Sequence, residues 1–294
     1  MASAGDRVTS EELAALGREH GLRPVGRRPS LGVYLAQLWD RRHFILSTAR
    51  SGLASNTAQD RLGPLWLVLN PLLLGLAYYL IFGLLLGTSD QVEDFIGFLV
   101  IGIFLYQYTA RAVSEGARAV TGNRRMIQVL AFPRAALPIG LVVRQALGFL
   151  PAVGVMLVVV LISPPVSPVT WHWLLLVPVL VLVTLFNLGV AFFAARLTAQ
   201  VNDVGQLIPF LLRLWLYASG VFFDIRRLAA DQPGLLAVLE LNPVHIYLTL
   251  ARDAVLYQTV SDARYWLLGT AWALVLTVLG FLAFWRAEEV YSRE

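Results

Sequence analysis

The chain contains no cysteine. Disulfides, thiol catalysis, iron–sulfur clusters and cysteine-type zinc sites are therefore excluded. It contains no lysine either, and all 23 basic residues are arginine. Without lysine there is no G-x-x-x-x-G-K-[ST] phosphate loop, so ATP cannot be bound in that manner. Any ATP-driven role then needs an ATPase on a separate subunit. The four histidines (His20, His43, His172, His245) are far apart and form no H-E-x-x-H pattern. Metal sites are defined by clusters of ligands, so none is expected. Residues 1–28 are polar and charged, with no apolar stretch before a cleavage site, and do not read as a signal peptide. Charge itself is scarce at 14%, where soluble domains carry about a quarter.

What the chain does have is apolar residue content, 57% of 294 residues, and a mean hydropathy of +0.67. Long uncharged runs alternate with short charged ones, the pattern of an all-α integral membrane protein. The arginine bias reads as the codon usage of a GC-rich genome, of the actinobacterial kind. A pI near 9.6 does not call for nucleic acid, because excess arginine in a membrane protein marks cytoplasmic loops.

Four stretches follow in order. Residues 1–30 are expected to be a flexible cytoplasmic N-terminus, where Thr9 or Ser10 can cap a short helix. Residues 31–61 form an amphipathic interfacial segment: Leu31, Tyr34, Leu35, Leu38 and Trp39 recur at helical spacing, with Arg41 and Arg42 beside them. An ordinary helix packed on the bundle is the alternative. Residues 62–285 hold six transmembrane helices, near 62–89, 95–108, 137–162, 171–195, 204–223 and 265–285. The second continues past Arg111, which snorkels toward the interface. Residues 286–294 are a cytoplasmic tail.

Six spans place both termini on one side. Eighteen arginines fall on that side, four on the other, and Arg213 lies within the fifth span. This imbalance puts the termini in the cytoplasm. The acidic loop Asp90, Glu93, Asp94 is then outside. No carboxylate is expected inside the central spans, which counts against proton coupling. No internal repeat is visible, which counts against a secondary transporter.

Arg213 either faces a wet conduit or snorkels within the bundle. The segment Asn123-Arg124-Arg125-Met126-Ile127-Gln128-Val129-Leu130-Ala131-Phe132-Pro133-Arg134 reads as a short amphipathic helix suited to a groove on a soluble partner, or as a plain basic loop. A second inner segment, 196–206, is a short polar turn. In the last outer loop, 224–264, two apolar pieces separated by Asn242-Pro243 are too short to span. They fit short re-entrant helices, or a peripheral lid.

At these residues the chain resembles the membrane subunits of ABC-2 type polysaccharide exporters, which serve O-antigen, teichoic acid and related cell-wall glycans. Asp60-Arg61-Leu62-Gly63-Pro64-Leu65-Trp66 is similar to that family's approach to the first span. The Asn123 to Arg134 segment, followed by Leu137-Pro138, is similar to its coupling helix. Asn202-Asp203 through Gln206 and Pro209 to Ser219-Gly220-Val221-Phe222-Phe223 is similar to its fifth-span region, although Asn202 and Gly220 stand where arginine and proline are common. Leu241-Asn242-Pro243 with Arg252 is similar to its outer gate helices.

The resemblance implies a permease without enzymatic activity, in the bacterial inner membrane, assembled from two copies of this chain and two ABC ATPase subunits. The partners would bind ATP and Mg; this chain would hold no cofactor. The substrate implied is a lipid-linked glycan, a cell-wall galactan being one guess. Coupling would pass through Asn123, Arg124, Arg125, Met126, Gln128, Phe132, Pro133 and Arg134, and through the interfacial residues Tyr34, Trp39, Arg41, Arg42, Arg61 and Trp66. Conduit candidates are Arg213 and the aromatics Tyr78, Tyr79, Phe104, Tyr106, Trp215 and Tyr217, which could equally form an aromatic belt. Asn242, Pro243 and Arg252 are outer gate candidates. Alternatives are an ABC-2 permease for a drug or small lipid, and an integral membrane glycosyltransferase. Replacing Asp90, Glu93 and Asp94 together by Asn separates the last from export: a glycosyltransferase should lose activity, whereas cellular glycan export should continue.

Overall fold

The computed structural model describes residues 29–58, 63–85, 87, 94–129, 132–164, 168–201, 203–228 and 232–288. The expectations for 1–28, Arg61, Asp90, Glu93 and Asn202 fall outside these residues. Among the described residues every regular element is helical. They are α1 Leu31–Asp40, α2 Arg42–Ala58, α3 Gly63–Tyr78 with a π-helical continuation Tyr79–Leu85, α4 Phe95–Ala117, α5 Arg124–Val129, α6 Ala136–Ile162, α7 Leu176–Gln200, α8 Val204–Ala218, α9 Pro233–Glu240, α10 Pro243–Arg252 with a π-helical end, and α11 Ala263–Arg286.

Five helical stretches are long and apolar enough to cross a bilayer: Val68–Leu85, Phe95–Ala117, Ala136–Ile162, Trp171–Gln200 and Ala263–Arg286. The sixth crossing follows from direction. Thr277 Oγ1 donates to the Leu185 carbonyl at 2.7 Å and Arg196 Nη1 to that of Ala283 at 3.1 Å. Residue numbers rise together, so α7 and α11 run the same way. The chain must therefore recross between them. Helix α8 does so: Gly205 lies by Thr198, the Trp215 and Phe186 rings are 6.0 Å apart, and Val221 reaches Gly102 near the start of α4. At 15 residues it spans about 22 Å, short of the roughly 30 Å hydrocarbon core. The buried turn Ser219 to Phe222 completes the passage. That turn contains Gly220 at φ +67°, a conformation proline cannot adopt.

Helices α9 and α10 bend by 81° at Asn242. Trp272 Nε1 donates to the Leu241 carbonyl at 3.1 Å, so the bend sits about 14 Å down α11 at ~1.5 Å per residue. Gln258, just past α10, donates to Pro168 at the far end of α7. The pair dips in and returns, as expected of re-entrant helices. The first and last described residues lie at one end, where Trp285 Nε1 donates to the Pro29 carbonyl at 3.3 Å.

The central post is α4: its apolar window is 78% buried, against 17% for the first span. Its antiparallel neighbours are α3, α6 and α8, while α7 runs with it. The interfacial segment departs from expectation. It breaks at Arg41 into α1 and α2. Ile45, Gly52 and Leu53 meet Gly140, Arg144 and Gly148 in turn, so α2 climbs the first turns of α6 rather than lying flat.

Helices α7 and α11 touch backbone to backbone: a Cβ at Gly189 would overlap Leu276 and Thr277, and one at Gly280 would overlap Gly189. Gly189→Val should therefore cost on the order of 1–3 kcal/mol and lower the melting temperature in detergent. Gly154→Ala, where a Cβ meets nothing within 4 Å, should leave it unchanged.

Candidate functional site

Three places gather the candidate residues. The first is the terminal end. Thr121–Asn123 forms a single 3-10 turn and α5 is six residues long, so the segment is a short helix rather than a plain basic loop. Asn123 Nδ2 ties its start to the Ala119 carbonyl at 2.9 Å. Ile127 is buried, Met126 half-buried and Arg124 exposed; the side chains of Arg125 and Gln128 lie outside the described set. Phe132 packs near Phe44 of α2, centroids 6.3 Å apart, and Pro133 is buried. Trp66 is exposed. Arg42 stacks on Trp39 at 5.0 Å and donates to its carbonyl at 3.0 Å, an aromatic–arginine pair suited to headgroup depth.

Glu288, unremarked in the sequence, joins these pieces. Tyr34 Oη donates to Glu288 Oε2 at 2.8 Å and accepts from the Ala135 amide at 3.0 Å. The Arg134 amide donates to Glu288 Oε1 at 3.1 Å, and its guanidinium reaches the Glu288 carbonyl. α1, the chain after α5 and the end of α11 meet at one buried carboxylate. Burial pushes the Glu288 carboxyl above the ordinary carboxylate range, and the Tyr34 phenol above its own.

The second place is the far end. Arg252 is buried. Its Nη1 donates to the Gly220 carbonyl at 3.0 Å, its Nη2 to Phe98 and Val221 carbonyls at 3.1 Å each, and its carbon Cζ lies 3.3 Å from the Phe98 ring centroid. Asn242 accepts from Trp215 Nε1 at 2.9 Å and Val244 N at 3.1 Å, and donates to the Ala218 carbonyl at 3.0 Å and Ser219 Oγ at 3.1 Å. Pro243 opens α10 at a position where a missing N–H does no harm. These gate candidates are pins: their polar atoms satisfy the open backbone after α8. Asp94 is a helix cap, accepting from Gly97 N at 2.8 Å.

The third place is the open face of α8. Arg213 and Tyr217 are exposed, and both lie within electrostatic reach of the Tyr78 hydroxyl. Tyr78 and Tyr217 pack on Phe222 at 4.3 and 5.7 Å between centroids. Tyr79 sits 6.2 Å from Phe95, and Trp215 is half-buried against Phe186. Phe104 and Tyr106 correct the sequence reading. They are 1% and 3% exposed, and the Tyr106 hydroxyl donates to the Leu212 carbonyl. An enclosed ring offers no face to a passing sugar, so these two serve packing.

The spans are also less plain than expected. α4 runs to Ala117 and so contains a carboxylate, Glu115, which pairs with Arg144 of α6. That corrects the expectation of acid-free central spans; Glu115 looked like loop because Arg111 and Arg118 flank it. Among the described residues there is no cluster of three or more metal-ligating side chains.

The family model for the ABC-2 type transporter matches residues 43–256, from α2 through the re-entrant helices. The chain belongs to the ABC-2 transporter family. Within curated proteins it is similar to the O-antigen export system permease protein RfbA of Myxococcus xanthus, 26% identical over 258 residues, covering 87% of this chain and 94% of that one. It is also similar to the O-antigen export system permease protein RfbA of Klebsiella pneumoniae, 25% identical over 226 residues, covering 76% and 83%. As an ABC-2 membrane protein it is a transport component.

Because the folded-state pKa of Glu288 is raised, the folded chain holds that proton more tightly than the unfolded chain. The stabilisation is complete below the ordinary carboxylate pKa and is lost as pH rises through the folded value. Glu288→Gln mimics the protonated form. From about pH 5 to pH 8 its melting temperature should fall less than that of the wild type.

Proposed function

We propose that this chain is the membrane subunit of an ATP-driven exporter that moves a lipid-linked polysaccharide outward from the cytoplasmic side. The observation carrying this reading is the similarity to O-antigen export permeases over 87% of the chain and 94% of the relative. Lacking lysine and hence a phosphate loop, the chain takes its energy from an ABC ATPase partner. α5 is the surface on which that partner acts, and the buried Arg134–Glu288–Tyr34 contact beside it carries the effect to α1 and α11.

The arginine-rich terminal end faces the cytoplasm of a bacterial inner membrane. Eighteen of the 23 arginines fall on that side of a six-span topology, and the bias favours it. Two copies meet on the α8 face. An arginine exposed among Leu207, Phe210, Leu211 and Leu214 is costly against lipid, and a second copy or a wet path between copies relieves that cost. Tyr78 and Tyr217 then offer stacking surface to sugars, and a galactan is one glycan such a path could carry.

Co-purification with a candidate ABC ATPase tests the assembly: the pair should isolate together, and export should require both. Arg213→Ala should reduce glycan export several-fold, roughly the worth of one lost charged contact, without weakening that assembly. Normal export in the variant would remove Arg213 from the path.

A further inference from the structure

Arg111 lies six residues before the end of α4, about 9 Å inside the terminal end at ~1.5 Å per residue. The helix continues past it, as the sequence suggested, and the residue is half-buried. No hydrogen bond from its guanidinium is found among the described residues. The carboxylate it senses is Glu115, which Arg144 already holds. Two arginines thus share one carboxylate, and the cluster keeps a net positive charge. An unbalanced guanidinium at this depth is costly until an anion joins it.

The guanidinium lines a cleft between α3, α4 and α6, with Pro71, Gln107, Tyr108, Gln145 and Gly148. Gln107 and Gln145 add amide donors, and the lining holds no carboxylate. The cleft is partly open and its volume is about 20 Å³: room for a water-sized group, such as one phosphate oxygen, but not for a sugar ring. Pro71, Phe149 and Ala152 give the cleft apolar walls, and it lies within spans that face hydrocarbon. An anion reaching this cleft therefore carries an apolar chain.

We propose that Arg111, assisted by Gln107 and Gln145, binds the phosphate ester of a lipid at this cleft. Two sources share that chemistry: the carrier of the exported glycan, which rests on the export reading, and the anionic phospholipid of the bilayer. The site admits one oxygen of the phosphate and leaves the rest of the headgroup and any glycan outside.

The test uses the full chain in nanodiscs of neutral lipid. Binding of a fluorescent polyprenyl phosphate and of a fluorescent phosphatidylglycerol is titrated separately. Arg111→Gln should weaken binding about tenfold, the scale of one charge-assisted contact, and Arg111→Lys should restore most of it. Loss of polyprenyl phosphate binding alone assigns the site to the carrier; equal loss of both assigns it to bilayer phospholipid. Unchanged affinity for both probes in a variant with wild-type melting temperature overturns the proposal. Should Arg111→Gln not fold, the pair Gln107→Leu and Gln145→Leu is read in the same way. The assay contains neither glycan nor ATP, so failure of the export reading would leave its outcome standing.

Discussion

Arg252 donates to the carbonyls of Phe98, Gly220 and Val221, and the far half of the molecule depends on that contact. α7 and α11 run parallel with glycine backbones touching, so one crossing must lie between them. The helix that makes it is too short. Its passage is completed by irregular backbone, which is tolerated at membrane depth only where donors from the protein satisfy it. Arg252 and Asn242 are those donors, and both come from the re-entrant pair. The re-entrant helices are thus the hydrogen-bonding complement of a short span rather than an appendage to the loop.

A comparable economy holds at the terminal end. Glu288 gathers the start of α1, the chain leaving α5 and the end of α11. Phe44 and Phe132 bring α2 to the same place. A force reaching Phe132 and Arg134, just after α5, is therefore passed to both the interfacial helices and the last span. This is what a subunit driven from outside requires. The parts are small, since α5 has only six residues, but they are anchored through buried polar contacts, which are geometrically stricter than apolar ones.

Charges within the spans divide by partner. Glu115 and Arg144 neutralise each other across α4 and α6. Arg252 is satisfied by carbonyls. Arg111 and Arg213 lack such closure among the described residues, and each opens on a surface, a cleft for one and the α8 face for the other. In a medium that penalises unpaired charge, those openings are why the proposed ligand and the proposed second copy are put there.

Much of this was legible in the amino-acid order. Long uncharged runs determined the spans, because backbone in hydrocarbon has few alternatives to helix. The Pro-rich break at 163–168, the Asn242-Pro243 bend and the short helix before Phe132 were visible for the same local reason: proline and turn residues act within a few positions. The even number of spans placed both ends together. Tertiary structure decided the rest. It enclosed Phe104 and Tyr106, which hydropathy cannot distinguish from lipid-facing aromatics. It extended α4 through Arg111 and Glu115, because Arg144 across the interface compensates the carboxylate. It turned Arg252 and Asn242 into backbone pins, and it brought Glu288 to Tyr34 across 254 positions. Each of these rests on a partner distant in sequence, and a side chain's own chemistry does not reveal which distant group will satisfy it.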